Sequence, residues 1–327
     1  MFRKKPKYFY KINVISYLLL PFSWVYLLIF VFSNIRIKKP KRLAEKVICV
    51  GNIVCGGSGK TPICLELGRL LNEKNENFCY ITKGYGRQTE ENVVIPKNHN
   101  LLFNYKNTGD EALLLSNEAD VFVVNKRSDA KCIGYDKVVF DDGFFDKSVK
   151  KDVNIAVFDS NFFVGNGCVL PAGPLRSVIT SIRKADFVII TNPNEDKINE
   201  QISFLSVFIS RYRILTAKLD VKSKLDKRAK YLAFAGIGDN EKFFTTAKEN
   251  GLNIVDFVGF EDHTEYTEDK IKMLKKKFKS SGANKFLTTT KDAVKLSSDI
   301  LQQTDIFEIG YTIENVEEIF DFLEHKK

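Results

Sequence analysis

The chain has 327 residues, 44% of them hydrophobic and 12% aromatic, with a formal net charge of +9. That composition excludes a disordered or low-complexity chain, and the length predicts one large core with a smaller second domain. Six cysteines, at 49, 55, 64, 79, 132 and 168, form no Cys-x-x-Cys pair and so exclude a disulfide scaffold or a thiolate zinc site.

Basic residues come first: Arg3, Lys4, Lys5, Lys7 and Lys11, then, beyond an uncharged run, Arg36, Lys38, Lys39, Lys41 and Arg42. Such clusters suit an anionic partner, and what lies between them selects which. Val14 to Ser33 carries no charge and reaches the length of about 20 residues that spans a bilayer. Anionic membrane lipid is therefore expected rather than nucleic acid. No small-residue cleavage site follows the run, so a retained anchor is expected over residues 1–40. The charges are balanced on the two sides, and Pro21 and Trp24 lie inside the run. Both a spanning helix and one lying in a single leaflet fit that pattern.

Next, an apolar strand over 47–54 runs into Val54, Cys55, Gly56, Gly57, Ser58, Gly59, Lys60 and Thr61, and helical spacing follows over 62–71. Strand, glycine-rich loop and helix in this order predict a polyphosphate cradle. Main-chain N–H groups approach the phosphates, Lys60 neutralises the β/γ oxygens, and the Thr61 hydroxyl holds Mg²⁺. The usual first glycine of the loop is replaced by Val54.

Further apolar runs at 78–82, 121–124, 138–140, 155–158 and 187–191 are separated by helix-sized polar segments. They predict an α/β P-loop NTPase-type fold, a doubly wound and mostly parallel sheet buried on both faces, over residues 41–214. From residue 215 a Lys/Asp-rich stretch leads into strands at 231–235, 254–257 and 286–289 with a helix over 270–278. These predict a smaller α/β lobe over 215–327 and a cleft between the two.

Several side chains fit that cleft. Asp141 and Asp142 follow a strand at the carboxyl edge of the sheet, where a P-loop enzyme holds its metal. Asp110 opens a helix and is a candidate general base for transfer to a hydroxyl, with His263 of the second lobe to orient it; the competing reading of Asp110 is a helix N-terminus. Arg127 and Arg176 are planar donors able to clamp phosphates, and Arg176 follows the rigid Pro171-Ala172-Gly173-Pro174 run.

Taken together, VGNIVCGGSGKTP (50–62), KGYGR (83–87), GDEALLL (109–115), RSDA (127–130), DDG (141–143), GNGCVLPAGPLR (165–176), FAGIGDNEKFF (234–244), DH (262–263) and TKDAVK (290–295) resemble the tetraacyldisaccharide 4′-kinase family. The resemblance implies an ATP- and Mg²⁺-dependent kinase acting on the 4′-hydroxyl of a membrane-embedded tetraacylated disaccharide 1-phosphate, in lipid A synthesis at the cytoplasmic face of the inner membrane. It implies Asp110 with His263 as the base pair, Lys60, Arg127 and Arg176 at the phosphates, Asp141 and Asp142 with Thr61 at the metal, and Tyr85 lining the substrate site. No obligatory protein partner is implied. Lys83, Thr290 and Phe145-Asp146 depart from the residues usual at their places. The rival reading is a membrane-held P-loop ATPase switch, a class that carries a second lysine early in its loop; none stands near Val54.

Overall fold

The structure, a computed structural model, describes residues 5–35, 39–99, 102–262 and 264–326. Its strands are β1 (Lys46–Gly51), β2 (Phe78–Thr82), β3 (Val93–Ile95), β4 (Val121–Val123), β5 (Lys137–Asp141), β6 (Val153–Asp159), β7 (Phe187–Thr191), β8 (Ile214–Val221), β9 (Lys230–Ala235), β10 (Asn253–Gly259), β11 (Lys285–Thr289), β12 (Thr304–Phe307) and β13 (Ile309–Ile313). The α-helices are α1 (Val14–Ile35), α2 (Lys60–Glu73), α3 (Tyr105–Thr108), α4 (Asp110–Leu115), α5 (Ile198–Ser206), α6 (Asn240–Glu249), α7 (Glu268–Ser281), α8 (Thr290–Ala293), α9 (Ser298–Leu301) and α10 (Glu317–His325).

Nine strands form the large sheet in the order β13-β8-β7-β6-β1-β5-β2-β4-β3, parallel except for the two edge strands. Along β1 the alternate residues Ile48 and Val50 enter one core while Val47 and Cys49 enter another on the opposite face. A strand covered on both sides must be apolar at every position, which is why these segments read as continuous runs. β5 and β6 flank β1 on either side, so the chain after β1 emerges where the strand order reverses, the usual place for a ligand in a doubly wound sheet.

The second sheet, β10-β9-β11-β12, is wholly parallel and has its own two cores, with Tyr231 and Ala233 on one face of β9 and Leu232 and Phe234 on the other. Its extent differs from a cut at residue 214/215. β8 crosses that boundary and belongs to the large sheet; β13 returns to pair with it, Ile313 against Ala217. The final helix then buries Ile319, Phe320 and Leu323 in the core of the large sheet. The small sheet, residues 230–307, is thus inserted between two pieces of the large one. The Lys/Asp-rich stretch marks where the chain leaves, but the amphipathic return strand gives no comparable change of composition.

The apolar segment forms α1, and it is docked rather than free. Ser16 and Ser23 are buried, Leu19, Leu20, Tyr26, Leu27 and Phe30 are half-buried, and the intervening residues, among them Leu18, Phe22, Trp24, Leu28 and Ile29, are exposed. That spacing is one helical face on the protein and an apolar remainder facing away.

Candidate active site

β1 ends at Gly51, short of the expected strand end at Val54, because the chain turns there into the loop 52–59. A side chain at Gly51 would strike Phe144 Cβ at 2.6 Å. The loop is stapled to the Pro174–Arg176 segment: Cys55 N donates to Pro174 O at 2.8 Å and Arg176 N donates to Ile53 O at 2.7 Å. Asn52 Nδ2 donates to Ser58 Oγ at 2.8 Å and closes the loop across its base. Gly59 takes φ +81° as the residue before α2, and a Cβ there would stand 3.0 Å from Tyr311 Cε2. No side chain caps the first turn of α2 and no acidic residue lies in it, so its main-chain donors remain open to an anion. Nothing would meet a Cβ at Gly57 within 4 Å, leaving the space over the loop open.

Opposite the loop, the turn after β5 carries both aspartates. Asp142, at φ +51°, directs Oδ1 to Arg176 Nη1 at 2.9 Å and to Lys60 Nζ at 3.8 Å. Burial alone would raise its pKa, but Lys60 and Arg176 hold it below the ordinary carboxylate value. Asp141 is buried, with Oδ2 3.4 Å from Thr82 Oγ1 and Oδ1 3.7 Å from Cys64 Sγ. Burial, then the charges of Glu111 and Asp142, push its pKa up to about 7. Adjacent carboxylates are thus set to different protonation behaviour. Thr61 is buried in the first turn of α2.

Asp110 is buried at the start of α4, and its position is fixed by backbone packing between two turns. Gly109, at φ +82°, leaves no room for a Cβ, which would lie 2.9 Å from Gly84 C and 3.0 Å from Tyr85 O. Gly84 is closed in turn by Thr108 O at 2.3 Å. The KGYGR turn therefore sets Asp110, while the Tyr85 side chain stays 60% exposed beside it. Lys295, buried in the small lobe, places Nζ 3.9 Å from Asp110 Oδ2 and 3.8 Å from Asp292 Oδ1, and so joins the two lobes electrostatically. His263 lies outside the described residues.

Arg127, expected as a phosphate clamp, lies behind the aspartate turn. Its Nη2 donates to Asp141 O at 2.9 Å and Asp142 O at 2.7 Å, Nη1 lies 3.3 Å from Asp146 Oδ2, and the guanidinium covers the Phe140 ring. It supports the aspartate turn from behind.

Three contributors carried no sequence signal of their own. Tyr311 comes from β13, over two hundred residues after the loop it covers; its hydroxyl accepts from Asn192 Nδ2 at 2.9 Å. Thr191 Oγ1 donates to Ser58 O at 3.3 Å. Lys295 stood inside the TKDAVK run, but only its burial between two carboxylates marks it. A cleft of about 270 Å³ opens between the first turn of α2 at Thr61, Pro62 and Leu65 and the small lobe at Ile237, Phe243 and Lys291.

The residues present fit a metal-bound nucleotide. The loop offers main-chain donors and Lys60, and Thr61 with the two aspartates could supply the few hard oxygen ligands that Mg²⁺ takes when phosphates and water complete its shell. Among the described residues no group of three or more His, Cys, Asp or Glu could hold a metal ion by itself.

Known proteins match the chain over nearly its whole length. The profile of the tetraacyldisaccharide-1-P 4′-kinase family, LpxK, matches residues 15–326. Tetraacyldisaccharide 4′-kinase of Rickettsia bellii is 33% identical over 310 residues, covering 92% of each chain. That of Rickettsia canadensis is 34% identical over 295 residues, covering 89% of this chain and 87% of the relative. A crystal structure of LpxK from Aquifex aeolicus in complex with ATP superposes with a TM-score of 0.72 at 25% identity, over 95% of this chain and 99% of that one.

Proposed function

Because the chain belongs to the tetraacyldisaccharide-1-P 4′-kinase family, we propose that it transfers the γ-phosphate of ATP to the 4′-hydroxyl of a tetraacyldisaccharide 1-phosphate at the cytoplasmic face of the inner membrane. The observation that carries this reading is a single chain of contacts from membrane helix to phosphate cradle. Ser23 Oγ of α1 donates to Val169 O at 2.8 Å and accepts from Ala172 N at 3.2 Å, and Tyr26 OH donates to Arg176 O at 3.1 Å. Arg176 is the residue that meets Asp142 beside Lys60. A lipid substrate that stays in the bilayer is thus brought to the phosphate donor by a helix bolted to the site itself.

In this reading the loop amides and Lys60 bind the triphosphate, and Arg176 neutralises charge on the transferring group. Thr61, Asp141 and Asp142 would hold Mg²⁺, which when bound supplies charge neutralisation across the phosphates. Asp110 takes the proton of the attacking hydroxyl, with His263 as the partner that the family resemblance implies, and Lys295 keeps the Asp110 carboxylate oriented. Arg127 acts by fixing the aspartate turn. The exposed apolar face of α1 sits in one leaflet among anionic lipids, since a helix docked along its length cannot also cross the bilayer alone.

Incubating the protein with γ-labelled ATP and tetraacyldisaccharide 1-phosphate in mixed micelles tests the reading. Label is expected in the lipid. Release of inorganic phosphate at the same rate with and without lipid would instead make it an ATPase switch.

A further inference from the structure

Lys5 belongs to the amino-terminal basic cluster, yet it lies against the phosphate loop. A Cβ built on Gly56 would stand 2.6 Å from Lys5 Cε and 3.5 Å from Nζ, so the lysine stem occupies the side-chain space of that glycine. Its ammonium sits 3.5 Å from the centroid of the Phe162 ring. The segment that carries it is anchored three to four residues further on. Phe9 is fully buried, its carbonyl accepts from Asn166 N at 2.7 Å, and Tyr8 O accepts from Asn166 Nδ2 at 2.8 Å.

Lys60 and Arg176 both rest on Asp142, whereas among the described residues Lys5 forms no ion pair with a carboxylate. Burial lowers its pKa from the lysine value, against the opposing pull of Asp159 and Cys55. Keeping a partly desolvated ammonium without a counter-charge is costly unless an anion arrives to meet it. The anion that belongs beside Gly56 is the triphosphate. The loop itself has no second lysine, so one reaches it from outside.

Resting on the nucleotide reading above, we propose that Lys5 is a nucleotide-binding residue, which brings a second lysine ammonium to the triphosphate from the segment that precedes the membrane helix. The phosphate site is then complete only when residues 5–10 are seated, and these lead within a few residues into α1. Binding of ATP and seating of the membrane helix therefore share one stretch of chain.

The test is calorimetric titration of the full-length protein with MgATP and with adenosine, at two salt concentrations. Lys5→Met keeps the stem over Gly56 and removes the charge; it is expected to weaken MgATP binding about tenfold, to leave adenosine unchanged, and to flatten the salt dependence. Lys5→Arg is expected to restore most of the loss. If Lys5→Met binds MgATP as the parent does, or loses adenosine equally, the lysine only packs and the inference falls. Lys60→Ala serves as control. If it too leaves MgATP binding intact, the cradle assignment fails as a whole; if it alone weakens binding, only the assignment of Lys5 fails.

Discussion

Asp142 Oδ1 is 2.9 Å from Arg176 Nη1, and the same oxygen receives Lys60 Nζ at 3.8 Å. One carboxylate thus occupies two cations that the proposed function assigns to the triphosphate. On that proposal, Asp142→Asn removes the competitor as well as a metal ligand. ATP without metal should then bind severalfold tighter than to the parent, while MgATP-dependent turnover falls by roughly a hundredfold or more. Nucleotide titration in EDTA beside a turnover assay reads both; metal-free affinity that stays the same or weakens would show that Asp142 does not restrain the two cations.

Asp141 predicts a pH effect on stability. Its carboxyl, pushed from 3.8 up to about 7 in the fold, binds its proton more tightly than in the unfolded chain. Its contribution is therefore fully present below about pH 4, declines as pH rises, and is gone above about pH 7. Asp141→Asn keeps the shape without the charge. In EDTA, urea denaturation should show the variant gaining on the parent by ~1–3 kcal/mol between pH 5 and pH 8. Parallel profiles for variant and parent would contradict the assignment.

Gly109 predicts an activity loss with no chemistry removed. Alanine there must relax φ +82° and clear Gly84 C, so Gly109→Ala should cost ~1–3 kcal/mol and swing Asp110 out of place. Turnover should drop while MgATP affinity holds, because the phosphate loop is untouched. Since Gly84 is pressed against the same turn, Gly84→Ala and Gly109→Ala together should destabilise by less than their sum. Thermal unfolding and calorimetry of the three variants decide it.

These residues also mark how much the sequence revealed. The cradle was legible because its chemistry is local: eight consecutive residues between a strand and a helix carry donors, cation and hydroxyl. The aspartate pair was legible as the end of a buried strand. What stayed hidden depends on contacts distant in sequence. Arg127 read as a free guanidinium because nothing local announces the two carbonyls and Asp146 it meets in the fold. Tyr311 reaches Gly59 only because β13 returns to the large sheet, and that return strand, with Thr312 exposed between Tyr311 and Ile313, is too short and mixed to register as a continuous apolar run. The same return hid the true extent of the small lobe.

The two faces of α1 predict separable defects. Ser23 is buried and its Oγ bonds both Val169 O and Ala172 N, whereas Trp24 one residue on is 70% exposed. Ser23→Leu should leave the outward apolar face intact, so the protein still floats with anionic vesicles. It should nevertheless lose turnover roughly tenfold, because the 169–176 loop that carries Arg176 loses its support. Trp24→Glu with Leu28→Glu should do the reverse: vesicle binding falls about tenfold or more, since each charge opposes burial in the interface, while turnover on a detergent-dispersed substrate stays near that of the parent. Flotation and micelle kinetics on both variants separate docking from insertion. If both variants lose vesicle binding equally, α1 is not divided into a protein face and a lipid face, and the single-leaflet placement is wrong.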